Sequence, residues 1–195
     1  MLNFWTSFNQ GLYHILNLSV YDHLLLLMVL IVPYTFKDWK KCLVLISFFT
    51  LAHTITLFFA LFNVFSIPSK IAQTLFLITL LILALYNLLL SGKIIKKEKF
   101  PFINTITLAI GSIHGLSFPA SFHFENTTTN KMAYALQLAL GIEIGQILAV
   151  AGLFLFLFVL QNLFHFNKRD LVIMLSSFVA GVVVSLALNT HFFVK

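Results

Sequence analysis

Four positions place ionisable side chains inside long apolar runs of this chain: Asp22-His23, His53, His114 and Glu143. At the centre of a bilayer each such group costs about 3 kcal/mol or more, so each calls for a compensating partner or a function. With His14 they make a set of imidazoles and carboxylates that contains no thiolate. Nitrogen and oxygen donors of this kind suit nickel, cobalt, zinc or Cu(II). Met28, Met132 and Met174 are scattered, which argues against a Cu(I) path, and the single Cys42 permits neither an intrachain disulfide nor a Cys-x-x-Cys motif. No Gly-x-x-x-x-Gly-Lys phosphate loop occurs, so ATP hydrolysis by that route is excluded. If the centre is catalytic, Glu143 or Asp22 is the candidate general base.

The elements that must position these residues are membrane helices. Of 195 residues, 60% are hydrophobic and 9% charged, and a soluble domain of this size would carry about a quarter of its residues as charge. The mean hydropathy of +1.00 agrees. The fold class is therefore all-α, a polytopic membrane protein in which residues 1–195 form one transmembrane domain. Six spans are expected over about 20–34, 42–64, 70–91, 101–122, 132–164 and 170–193. The fifth is long enough that it must tilt, project or bend, with Gly152 as the candidate bend. Residues 1–19 read as an interfacial amphipathic segment: Phe4, Trp5, Phe8, Leu12, Ile15 and Leu16 share one helical face, with Ser7, Gln10, His14 and Asn17 opposite. No basic residue precedes Lys37, so the start of a secretory signal is missing and the N-terminus is expected to be retained.

The net charge of +6 reflects orientation and not nucleic acid. Nine of the twelve basic residues, Lys37, Lys40, Lys41, Lys93, Lys96, Lys97, Lys99, Lys168 and Arg169, fall in alternate loops, against Lys70, Lys131 and Lys195 on the other side. The positive-inside bias then puts both termini outside the cytoplasm.

Helical phase and depth add to the argument. Thr107, His114, Ser117 and Ser121 form one polar stripe; Glu143 and Gln146 form another; Thr50, His53 and Thr56 share a third face. Asp22-His23 starts the first span at its outer end, and counting from outer ends puts His53 and Glu143 about 16 Å deep and His114 about 12 Å deep. Three polar edges thus point at one interior in the middle and outer half. The inner half is dry, with Asn87 and Thr105 as its main polar groups. Gly111-x-x-x-Gly115 and Gly141-x-x-x-Gly145 let helix backbones approach closely, and the second ridge lies nearly opposite Glu143, which leaves Glu143 to face the interior. Plainer roles exist for several of these groups: Asp22 as a helix cap, His14 as a wet interfacial residue, His53 and His114 as interhelical hydrogen-bond partners. His123, His165 and His191 read as solvated.

In sequence order these residues resemble the motifs of the HupE/UreJ family. Gly11-Leu-Tyr-His14 followed by Tyr21-Asp22-His23 is similar to its His-rich first motif, and Phe49-Thr50-Leu-Ala-His53-Thr54-Ile-Thr56-Leu57 to its second. Ala84-Leu-Tyr-Asn87, His114-Gly115-Leu116-Ser117-Phe118 and Gly141-Ile-Glu143-Ile-Gly145-Gln146 are similar to later ones, so the resemblance covers residues 11 to about 150. Ser117 stands where a glycine is usual. His14 and Asp22 are also farther apart than in many members, so the chain between them must break or bulge if both reach one ion.

The resemblance implies a nickel or cobalt permease, or an accessory protein of hydrogenase or urease. Its expected partners are the lipid bilayer, a divalent transition metal (Ni, Co or Zn) and metal-assembly or metalloenzyme maturation proteins, in a bacterial inner membrane. The metal set expected is His14, Asp22, His23, His53, His114 and Glu143, supported by Thr50, Thr56, Asn87, Ser117 and Gln146. The dry inner half keeps an alternative open: an intramembrane metal-dependent hydrolase acting on a lipid or lipid-linked substrate at the outer leaflet.

Overall fold

The computed structural model describes residues 4–17, 22–62, 64–65, 67–91, 100–117 and 131–189. Among them the chain is helical with no strand: α1 (Phe4–Leu16), α2 (Asp22–Ile31), a 3-10 turn (Phe36–Asp38), α3 (Trp39–Leu61), α4 (Ser69–Ser91), α5 (Phe100–Ser117), α6 (Lys131–Asn162) and α7 (Lys168–Asn189). Four segments, Phe36–Ala60, Lys70–Ser91, Lys131–Asn162 and Lys168–Leu188, are long and apolar enough to cross a bilayer. α6 runs unbroken through Gly152, where an added Cβ would meet nothing within 4 Å.

The expected first span departs most from the sequence reading. α2 has ten residues, hence a length of about 15 Å against a hydrocarbon core of about 30 Å. It cannot cross alone. Pro33, two residues past its end, removes the N–H that would continue the ladder. The 3-10 turn then re-aims the chain: the Asp38 carboxylate accepts bonds from the Thr35 N–H at 3.2 Å, the Thr35 hydroxyl at 2.8 Å and the Lys41 ammonium at 2.9 Å, and α3 begins.

Polarity is arranged as a bilayer requires. Leu89 and Leu155 are 78% and 65% exposed, whereas Thr50, His53, Thr107, His114 and Gln146 are buried. With no hydrophobic drive between helices in lipid, close backbone approach has to hold them together, and glycine supplies it in two places. A Cβ on Gly111 would run into the Phe49 carbonyl, and one on Gly115 into the Thr56 hydroxyl and the His53 carbonyl. Later residues of α5 meet later residues of α3, so the two run parallel.

The same logic seats α1 on α6. A Cβ on Gly11 would strike the Leu138 carbonyl, one on Gly141 the Phe8 carbonyl, and Gly145 faces Ile15. The sequence reading lays this segment in the outer interface with its polar face opposite the apolar one. Ser7, Gly11 and Ile15 are buried and Tyr134 donates to Gln10 Oε1 at 2.9 Å, while Trp5 and Tyr13 are 65% and 68% exposed. The polar and small face of α1 turns toward protein, not water. Beyond α1, α2 packs against α4, α6 and α7, and α4 against α7.

Candidate metal centre

His14 occupies the last turn of α1, and Asp22-His23 the first turn of α2. α1 ends at Leu16 and α2 begins at Asp22, so the two positions stand on separate helices. The His14 and His23 rings nevertheless meet, with centroids 4.4 Å apart. His114 of α5 closes the group, 4.4 Å from His23 and 6.2 Å from His14 by centroid. One nitrogen from each ring lies within 4.8 Å of the others, a group that could hold a metal ion. Tetrahedral ligation at about 2.0–2.1 Å puts donors about 3.3 Å apart, so small side-chain rotations bring the trio onto one ion.

The glycine contacts explain why these rings meet. Gly11, Gly141 and Gly145 bring α1 down along the middle of α6, which carries His14 to the level of the other two. Gly115, next to His114, lets α5 lie directly on the His53 carbonyl. His53 is consequently a fully buried neighbour of His114, 5.5 Å by centroid. Both His23 and His53 thus neighbour the His114 ring.

Asp22 is a partner of His23. Its Oδ1 lies 3.0 Å from His23 Nδ1 and accepts the His23 backbone N–H at 2.9 Å. With Asp22 ionised the carboxylate only accepts, which assigns the ring proton to Nδ1 and leaves the Nε2 lone pair for another use. Nε2 is buried with no hydrogen-bond partner among the described residues. Carboxylate, histidine and open nitrogen in this order form the arrangement that orients metal-bound imidazoles.

Other expected residues lie elsewhere. Glu143 Oε1 accepts from the Ser47 hydroxyl at 2.6 Å, and one turn on, Thr50 donates to Gln146 Oε1 at 3.0 Å. These bonds tie α6 to α3 and leave Glu143 outside the trio. The Thr56 hydroxyl is turned back onto the carbonyls of Ala52 at 2.9 Å and His53 at 3.1 Å. Asn87 donates to the Val29 carbonyl. His165 is exposed between α6 and α7; His123, His191, Ser121 and the side chain of Ser117 lie outside the described residues. Two groups that the sequence did not single out wall the centre, Phe76 at 4.8 Å and Phe49 at 6.0 Å from the His114 ring. Phe49 was within reach, one turn before His53. Phe76 shares its α4 face with Ala72, Leu80 and Leu83 and reads there as ordinary core.

An apolar exterior around buried, converging imidazoles defines an integral membrane protein with a centre able to take a metal ion. The whole chain, residues 1–195, matches the family described as HupE / UreJ protein, and it belongs to that family. Comparison with curated proteins and with solved structures gives no match.

Proposed function

We propose that the chain is a permease for a divalent transition-metal ion of the nickel or cobalt kind, which is its cargo. His14, His23 and His114 are the ligands, Asp22 orients His23 and lends negative charge, and His53 is the next imidazole the ion meets. The observation that carries this reading is the convergence of three histidines from three helices on one point. Neutral imidazoles bind such an ion without burying like charges, and one carboxylate behind them offsets part of its 2+ charge.

In this reading α1 and α2 are the two halves of one discontinuous span, broken where the ion binds, as irregular backbone inside a membrane is tolerated where it lines a site. α1 parallels the first half of α6 and α2 continues toward the second. Both termini are outside, as the distribution of Lys and Arg implies. An inside-negative potential then favours the inward passage of a 2+ ion by about 4.6 kcal/mol per 100 mV, and no chemical fuel is needed.

One observation favours a second reading. The inner end is sealed: Val32, Leu157, Leu171, Val172 and Leu175 form a buried apolar cluster, while the Asp22 side chain is 33% exposed. A centre open on one side suits an intramembrane metal-dependent hydrolase with Asp22 as general base. Proteoliposomes separate the two. A permease gives metal flux above that of empty vesicles, rising with an imposed inside-negative potential; tight binding with no flux under that potential overturns it in favour of the hydrolase.

A further inference from the structure

We propose that Asn87 is a positioning residue for the metal centre: from α4 it holds the far end of α2 and so fixes where His23 stands. This deepens the reading of the histidine trio as a metal centre and rests on it.

α2 carries its site residues in its first two positions and lacks a donor near its other end. By the i to i+4 rule the Val29 carbonyl awaits the N–H of residue 33, which is Pro33 and has none. Neighbouring donors are committed elsewhere: the Val32 N–H to the Met28 carbonyl at 3.0 Å and the Tyr34 N–H to the Ile31 carbonyl at 2.9 Å. Val29 is fully buried, so water does not serve it, and an unmet carbonyl there is unfavourable. Asn87, itself buried, supplies the missing donor, with Nδ2 2.7 Å from the Val29 oxygen.

The consequence lies at the opposite end. A helix of ten residues, bonded along its length, moves as a rod. His14 and His114 are placed by the glycine contacts of α1 with α6 and of α5 with α3, none of which involves α2. His23 is the one ligand of the three delivered by α2. Its distance to the other two therefore depends on what locates α2, and the Asn87 bond locates α2 along its own axis, where apolar contacts alone would permit sliding.

The test uses the full chain in lipid nanodiscs with Co2+ as probe, whose visible absorption reports ligand geometry. Asn87→Leu keeps the branched skeleton and removes the donor; it is expected to weaken Co2+ binding tenfold or more and to change the absorption band. Pro33→Ala restores an N–H to the Val29 carbonyl. In that background Asn87→Leu is expected to cost less than threefold, a rescue that a packing role for Asn87 does not predict. Wild-type binding that Asn87→Leu leaves within twofold overturns the inference alone, and so does a tenfold loss that Pro33→Ala fails to rescue. Should Asn87→Leu not fold, the double variant carries the test, with binding within threefold of Pro33→Ala supporting the clamp and a tenfold loss overturning it. Absence of Co2+ binding in the wild-type chain overturns the metal-centre reading, and this inference with it.

Discussion

The two ends of α2 are held by opposite kinds of contact. Its first turn is polar, with Asp22 bonded to His23 and His23 against His14 and His114. Its last turn, Val29 to Ile31, and Val32 after it are buried among aliphatic side chains. These ends differ in what holds them. Apolar side chains in a membrane gain little from leaving lipid for protein, so the apolar end rests on dispersion contacts and on the one Asn87 hydrogen bond, a net contribution of about 1 kcal/mol. The Asp22-His23 end makes its contacts through a carboxylate and imidazole rings. In the reading proposed above, the same short rod joins the ion site at one end to an apolar seal at the other.

The comparison breaks most completely if the polar end is not a ligand set. His114→Ala removes one of three nitrogens from a centre whose remaining rings cannot close the gap. Metal retained by the purified protein is expected to fall from about one ion per chain to under a tenth of that, read by elemental analysis, while the amount of protein recovered from the membrane holds. Unchanged stoichiometry in His114→Ala and in His23→Ala would make these rings interhelical contacts and reduce the difference between the ends of α2 to polarity alone.

A smaller effect is expected one layer out. Asp22→Asn leaves the three imidazoles in place but replaces the acceptor that fixes the His23 ring and its proton. Partners of this kind are typically worth about 10–100-fold in metal affinity. Titration with Co2+ should place Asp22→Asn in that range, tighter than His23→Ala. Loss equal to that of His23→Ala would instead make Asp22 a direct ligand, as first read from the sequence.

What the sequence disclosed follows from the medium. Histidines inside apolar runs stand out because the membrane makes them expensive, so type and phase alone single out Asp22-His23, His53 and His114, whereas His14 enters the set through the family resemblance. The glycine ridges at 111/115 and 141/145 were found in the same way. The amphipathic pattern of α1 was legible but ambiguous: periodicity shows that one face is polar, and it does not say whether water or Tyr134 meets Gln10. Counting inward from the ends of continuous helices puts His23 at an outer edge; what periodicity does not give is its neighbour, the His114 ring against which it packs.

Glu143 shows the limit of phase most clearly and gives the smallest expected effect. Facing away from the Gly141/Gly145 ridge led to its assignment as a ligand, yet phase names a direction and not a neighbour. The neighbour is Ser47, 2.6 Å away, with Gln146 on Thr50 beside it. Replacing the carboxylate with an amide keeps an acceptor for Ser47 and the volume of the side chain. Glu143→Gln is therefore expected to keep metal stoichiometry and to change Co2+ affinity by less than twofold, with the absorption band of bound Co2+ unaltered. A shifted band would bring Glu143 to the ion and require α6 to rotate relative to α3 on binding. The contrast between the two ends of α2 would then be one state of a centre that remakes itself when loaded.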